Sequence, residues 1–581
     1  MLEHEGGALS QRALARATGL SLGTVNKAYG RCVQDGLADA EGVTPAGMKS
    51  LEPYRVDNAI IMAAGLSSRF VPLSYEKPKG LLRVKGEVLI ERQIRQLRSA
   101  GVDDITVVVG YMKEEFFYLE DLLGVKIVVN SAYRERNNNS TIKCVEGALG
   151  NTFICSSDDY FADNPFEAYV YDSYYSAVYA EGSTDEWCLR TEGRAKLITG
   201  ATVGGRDSWI MLGHCYWSRA FSSKFVEILD RIYDDQLTAS KLWEHIYLDH
   251  IDELPRMRMR GYGEGVIWEF DSLDNLRLFD PEFIDNVDSS ILDNICRVLV
   301  CKRSDIKDLA PIKKGMTNLS FRFDVDGESY VYRHPGAGSE EIINRRAEVF
   351  SEEIAAKLGL DGSYIYEDPD QGWKISRYRD VSEPFDYHNE VHVREAMRIA
   401  RTLHSCGETS DFYLDMHQDT LKQIGLLDES RWMTFPDFER LLRRIQGLDD
   451  ALKADGAEPC LCHNDFSDSN FLLLGDRMEL IDWEYSGMGD FASDLGVFIC
   501  CSDYSYEDAL HVFELYYERP LTNTELFHCV AYTAIVSFHW FVWALYKEAH
   551  GEPIDESLYY YYRYAKLFGG KAVGMRPELA G

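Results

Sequence analysis

Between Val56 and Ser157 short apolar runs, NAIIMAAG, ITVVVG, VKIVVN and NTFICSS, alternate with stretches of helical periodicity such as VLIERQIRQLRSAG. Strands that are apolar on both faces belong inside a parallel sheet, since only a sheet covered by helices on both sides buries every side chain. Parallel neighbours need crossover connections, so this stretch is restricted to an open α/β layer. Ligands bind such layers at the carboxyl ends of the strands.

The pattern loosens between Asp280 and Asp293. A new start then follows, VLVCKRSDIKDLAPIKKGMTNLSFRFDVDGESYVYRHPG, which reads as a β-rich lobe, and helices dominate from Glu340 onward. The first 50 residues form short amphipathic helices, with Ser10 and Ser21 as candidate N-caps, Gly19 in the turn, and Leu14, Ala15, Leu20, Val25 and Ala28 as an apolar stripe. This opening resembles a winged helix-turn-helix with Ser21 to Tyr29 as its recognition helix. Three units are therefore expected: 1–54, a winged helix-turn-helix; 55–290, a Rossmann-like α/β domain with a mostly parallel sheet; and 291–581, an α+β domain.

A net charge of −34 and a pI near 4.8 argue against a general nucleic-acid or anionic-membrane surface. Any DNA contact is confined to the first unit. Up to its border Arg12, Arg16, Lys27, Arg31, Lys49 and the adjoining Arg55 are matched by Glu3, Glu5, Asp35, Asp39, Glu41 and Glu52, so docking on a protein stands beside DNA binding as a role. The 13 cysteines show no CxxC pairing and follow no signal peptide, so reduced thiols in a cytoplasm are expected. Cys460 and Cys462, beside His463, are too tightly spaced for the usual zinc pattern. Phe527 to Tyr546 lacks Asp, Glu, Lys and Arg, but its His528, Thr533, Ser537 and His539 favour a buried core helix over membrane insertion.

In MAAGLSSRFVPLSYEKPKG a strand ends at Ala63-Ala64 and runs into the turn Gly65-Leu66-Ser67-Ser68-Arg69, with Lys77-Pro78-Lys79 ten residues on. Turn N–H groups can cradle phosphates while Arg69 and Lys79 offset their charge; a tight turn with two surface cations is the plainer alternative. The stretch resembles the sugar-nucleotidyltransferase superfamily, and more narrowly the CTP:phosphocholine cytidylyltransferases. LIERQIRQL, VVVGYMKEEFFYL, RNNNST, ICSSDDYF, DEWCL, LWEHI and IWEFDS share that likeness over roughly 56–280. The family usually has a second glycine where Ser67 stands. The resemblance implies Mg2+ held by Asp158 and Asp271, CTP on Ala63, Ala64, Gly65, Ser67, Ser68, Arg69 and Lys79, and catalysis by Lys79 and Arg69. It further implies a trimethylammonium group against Trp187, Glu186, Trp243 and Glu244, with core packing the alternative for each tryptophan.

Asp465, Asn470 and Asp482, in CHNDFSDSNF and LIDWEYSG, have the spacing of a kinase catalytic loop and its metal aspartate. Arg333 stands where a kinase strand carries Lys, Glu348 can pair with it, and Gly315-Met316-Thr317-Asn318 would cover ATP phosphates. GMTN, HND, IDWEYSG and a late WxxW resemble choline and ethanolamine kinases, with the match running over roughly 305–566. The resemblance implies a protein-kinase-like fold, Asp465 as base, Mg2+ on Asn470 and Asp482, and choline between Glu484, Trp540 and Trp543. Together the units are expected to make phosphocholine from choline and ATP, then CDP-choline from phosphocholine and CTP, for decoration of surface glycans. Ethanolamine or another amino alcohol is the alternative substrate, and a winged-helix regulator with nucleotide-sensing domains the alternative class.

Overall fold

The computed structural model describes residues 9–18, 20–270, 272–312, 318–336, 344–550, 554 and 556–579. Asp271, Gly315, Met316 and Thr317 lie outside the described residues, and of Ser68 and Asn318 only the backbone is described. The chain divides into two compact units, Met1–Ser304 and Asp305–Gly581. The sequence places the change at 290/291. In the structure the segment after it stays with the first unit, because the hydroxyls of Ser289 and Ser290 bond to Glu76, and the Arg303 guanidinium donates to the Val287 carbonyl and to Asp293.

The first unit opens with helices Gln11–Thr18, Leu22–Gln34 and Pro45–Leu51, and an Ala38–Val43 bridge between the last two forms a minimal wing. Ser10, Ser21 and Thr44 accept the backbone N–H groups of Ala13, Thr24 and Gly47, satisfying donors that a helix start leaves open. The expected apolar stripe is only partly buried. Leu14 and Val25 are inside, whereas Leu20 and Ala28 are exposed, since so few short elements offer little surface to pack against.

The α/β layer is a seven-stranded, mostly parallel sheet. Its order is Arg258–Tyr262, Tyr174–Glu192, Leu197–Trp217, Thr152–Ser156, Asn58–Ala63, Ile105–Val109 and Lys126–Val129. Asn58–Ala63 pairs in parallel with neighbours on both sides, so the direction of strand addition switches there and leaves a crevice at the strand ends. Its alternation divides the interior: Ala59, Ile61 and Ala63 enter one core, and Ile60 enters another with Phe221, Phe225 and Trp243.

The second unit joins a five-stranded antiparallel sheet, in the order Lys307–Pro311, Asn318–Val325, Glu328–Pro335, Lys374–Arg377 and Tyr364–Glu367, to a larger helical lobe. Strand Cys460–Cys462, paired with Gly487–Gly489, and the hairpin Phe471–Leu474/Arg477–Leu480 carry the segment around Asp465. Helix Asn523–Ala549 is long and apolar enough to cross a membrane, yet 89% of its most apolar 18 residues are buried within the protein. Its polar groups also find partners there: Thr533 and Ser537 donate to carbonyls one turn back, His528 meets Asp490, and His539 meets Thr420. It is a core helix.

Candidate active sites

Parallel pairing sets Met62 beside Ser156, so the loops leaving these two strands emerge side by side. The Ser157 N–H donates to the Met62 carbonyl at 3.1 Å, binding one loop to the other. Around them lies a cavity of about 490 Å³ lined by Ala63, Ala64, Gly65, Ser67, Lys79 and Asp158 among others. Gly65 has open space where a side chain would stand, and Ser67 holds the left-handed backbone, φ 50°, that glycine adopts most easily. The usual second glycine of the family thus corresponds to a conformation that this serine also takes.

Lys79 Nζ reaches Asp158 Oδ2 at 2.7 Å. Burial raises the Asp158 carboxyl, but the Lys79 ammonium outweighs it and holds the group below the usual carboxylate range. Asp159 behaves oppositely. It is 1% exposed, neither carboxylate oxygen has a hydrogen-bond partner, and burial, then Glu269 and Asp158, push it well above the usual range. Glu269 sits directly across from Asp159 in the strand pair Asp159–Phe161/Ile267–Glu269, two residues before Asp271. Three carboxylates drawn together around a single cation, Lys79, fit a hard divalent ion, with Asp158, Asp159 and Glu269 as the described oxygen donors. The resemblance points to Asp158 and Asp271 for the metal, and Asp159 and Glu269 are not part of that expectation. Only the strand pairing brings them together.

Other expected residues stand off the cavity wall. Arg69 is exposed and is not among the lining residues. Glu186 is exposed, and Trp187 is half-buried with its ring edge-on to His245 at 4.7 Å. Trp243 is 1% exposed, with Trp217 at 5.0 Å and Tyr175 stacked at 5.8 Å, so its indole fills the core. Its helix still touches the cavity through Asn138, which accepts from the Trp243 backbone N–H at 2.6 Å and donates to Glu244 at 3.2 Å. Burial moves the Glu244 carboxyl up to about 7. The lining also includes Asn130, Tyr133 and Arg134 and, from the segment 136–141, Arg136, Asn137, Asn138 and Thr141. RNNNST marked that segment by resemblance alone.

In the second unit Arg333, Lys374 and Glu367 form a row across three strands, Arg333 opposite Lys374 and Lys374 opposite Glu367. Helix Arg345–Leu358 lays Glu348 and Glu352, one turn apart, over that row. Arg333 bonds Glu348 at 2.5 Å and Glu367 at 3.1 Å, and approaches Asp482 at 3.7 Å. Glu348 is fully buried, and the surrounding cations, Arg333 foremost, overcome burial and hold it well below its usual range. Removing one partner from such a set costs about 3–5 kcal/mol.

Asp465 lies in the loop after Cys460–Cys462. Its backbone N–H donates to His463 Nδ1 at 3.2 Å, and the Asn470 amide donates to its carbonyl at 2.8 Å and to Oδ2 at 2.9 Å. Asn470 thus uses its donors on Asp465, which leaves its carbonyl oxygen, with Asp482, to fit Mg2+. Burial chiefly, with Asp482 adding to it, raises the Asp465 carboxyl despite the opposing effect of His463. Asp482 itself adopts the left-handed backbone at φ 67°.

Trp540 and Trp543 sit on one face of the core helix, 6% and 8% exposed, their rings edge-to-face at 5.1 Å. Tyr485 packs edge-on against Trp540 at 5.8 Å. Burial, then the charges of Glu484, Asp465 and Asp482, raise the Tyr485 hydroxyl, so the aromatic corner and the three carboxylates share one neighbourhood. Glu484 is 8% exposed.

A MobA-like NTP transferase domain model matches residues 59–220, a phosphotransferase enzyme family model matches 308–524, and a winged helix-turn-helix DNA-binding model matches 1–38. The chain is 33% identical over 219 residues to a choline-phosphate cytidylyltransferase of Streptococcus pneumoniae, a match covering 38% of this chain and 95% of the relative. It is 35% identical over 231 residues to a 2-aminoethylphosphonate cytidylyltransferase of Lancefieldella rimae, covering 39% and 93%. Over 254 residues it is 26% identical to Protein LicA of Haemophilus influenzae, covering 42% and 94%. The chain belongs to the cytidylyltransferase family of NTP transferases, with a kinase domain of the phosphotransferase family joined to its nucleotidyl domain and a winged helix-turn-helix ahead of both.

Proposed function

We propose that the kinase domain phosphorylates choline with ATP and that the nucleotidyl domain couples the resulting phosphocholine to CTP, giving CDP-choline and pyrophosphate. The observation that carries this reading is the corner of Trp540, Trp543 and Tyr485 beside Glu484 and Asp465. A quaternary ammonium has no N–H to donate, so aromatic faces and a carboxylate are its natural partners. Asp465, held by Asn470 and partly desolvated, accepts the proton of the choline hydroxyl as that oxygen attacks the γ-phosphorus. Arg333, fixed by Glu348 and Glu367, orients the ATP phosphates. In the first unit the Gly65 turn and Lys79 hold the CTP phosphates while a phosphocholine oxygen attacks the α-phosphorus. Mg2+, when bound at each site, offsets the charge that develops on the transferred phosphate.

The relative named for 2-aminoethylphosphonate favours a second substrate for the nucleotidyl domain. A phosphonate already carries the group that CTP is coupled to, however, and needs no kinase. The joined phosphotransferase domain therefore favours an alcohol, and the aromatic corner favours a quaternary amine over ethanolamine. Side-by-side turnover of choline, ethanolamine and 2-aminoethylphosphonate tests this. Choline is expected to show the highest kcat/KM with ATP, and phosphocholine the highest with CTP; faster turnover of the phosphonate with CTP overturns the reading. The winged helix-turn-helix match, with Leu22–Gln34 exposed along most of its length, supports a local DNA contact, which a gel-shift assay against genomic fragments tests.

A further inference from the structure

The spacing of Cys460 and Cys462 excludes a zinc pattern built from neighbouring residues, but the fold supplies a third ligand from a distant helix. Residues i and i+2 of a strand face the same way, and strand Cys460–Cys462 brings the two Sγ atoms to 3.8 Å. His404, the last residue of helix Glu390–His404, completes a group whose ligand atoms all lie within 4.8 Å of one another. Cys462 is buried, the His404 side chain is 4% exposed, and half-buried Cys460 gives access from solvent.

The surroundings suit a cation. Asp494 Oδ2 meets His404 Nε2 at 2.9 Å, the arrangement in which a carboxylate orients a metal-binding imidazole. Asp490 and Asp494 both add negative potential at the two thiols. Two sulfurs and an imidazole nitrogen match zinc and its soft congeners, whereas Mg2+ takes oxygen ligands. Nδ1, the nitrogen left for the ion, is 2.9 Å from the Tyr516 hydroxyl, a hydrogen bond that coordination replaces, and a water can take the fourth position.

We infer that Cys460, Cys462 and His404 form a binding site for a thiophilic divalent ion of the zinc class, separate from both nucleotide sites. Coordination replaces the two thiol protons, which pass to solvent, with the metal. The site would tie helix Glu390–His404 to the strand that leads directly into Asp465. Asp494 already accepts the backbone N–H groups of His463 at 3.0 Å and Asn464 at 2.6 Å, so the ion would brace the base of the phosphoryl-transfer loop. The inference rests on this geometry and not on the identity of the kinase substrate.

The test titrates the reduced, metal-stripped full chain with Cd2+ in excess Mg2+ and follows the thiolate-to-cadmium charge-transfer absorbance. The expected result is saturation at one equivalent, bleaching on addition of Zn2+, and at least a tenfold loss of affinity in Cys460→Ser, in Cys462→Ser and in His404→Gln. The metal should also raise the Tm of the wild type and leave that of Cys460→Ser unchanged, which keeps the test open if the buried Cys462 variant does not fold. No band in the wild type, or a band of unchanged amplitude and affinity in Cys460→Ser, overturns the site.

Discussion

Lys79 Nζ stands 2.7 Å from Asp158 Oδ2, so the two connections that follow neighbouring parallel strands are joined by an ion pair on the wall of the nucleotide cavity. Lys79→Met leaves Asp158, Asp159 and Glu269 facing one another without that cation. Nucleotidyl transfer should fall by about 10²–10³, the scale for losing one group aimed at developing charge, while ATP-dependent phosphorylation stays near wild type. Release of pyrophosphate from CTP measures the first and ADP formation the second. A nucleotidyl rate within a few fold of wild type removes Lys79 from the site.

Gly80 lies against the other loop: a Cβ built there would meet Ser157 Cβ and Oγ at 2.8 Å and its carbonyl oxygen at 3.0 Å. Gly80→Ala must push the Lys79 segment away from the Asp158 loop. The expected outcome is a destabilisation of about 1–3 kcal/mol in denaturant melts, together with a higher KM for CTP. Wild-type values for both would mean that the two loops are free to separate.

Where sequence and structure agree, the reason is local. The apolar runs and the Gly65 turn specify strand, turn and crevice through neighbouring residues, and Asp465 with Asn470 is fixed by the geometry of one loop. Pairings between distant strands were not legible in the same way. Glu269 faces Asp159, and Lys374 with Glu367 joins Arg333, only because of strand register. Trp243 illustrates the opposite limit: sequence leaves pocket and core open, and Trp217 and Tyr175 settle where its ring lies.

Glu367, 2% exposed, has its carboxyl pushed up to about 9, by burial first and then by Glu348. Between the unfolded value of 4.5 and about 9, the folded protein binds a proton that the unfolded chain does not, so this residue's contribution to stability falls as pH rises. Glu367→Gln removes the titration. Whatever Tm the variant loses at about pH 6 by giving up the Arg333 contact, its Tm is expected to rise relative to that of wild type as pH goes from about 6 to about 9. Parallel Tm curves over that window would show that Glu367 is charged in the folded state.

Trp543 separates pocket from packing. If its indole faces the ammonium of choline, Trp543→Leu removes a contact of about 0.5–2 kcal/mol, so KM for choline rises about 2- to 30-fold while that for ATP hardly moves. Trp543→Phe should fall between the two. Early melting with unchanged KM for choline in both variants would assign the ring to the core alone.

The most direct test of two separate, consecutive reactions is mass spectrometry of products from Asp465→Asn and Asp158→Asn, each incubated with choline, ATP, CTP and Mg2+. The two residues lie in different units of the chain. Asp465→Asn is expected to make nothing from choline and to yield CDP-choline once phosphocholine is supplied. Asp158→Asn is expected to accumulate phosphocholine without CDP-choline, and mixing the two variants should restore the full sequence. Loss of both products in either folded variant, or no phosphocholine from the wild type, would contradict it.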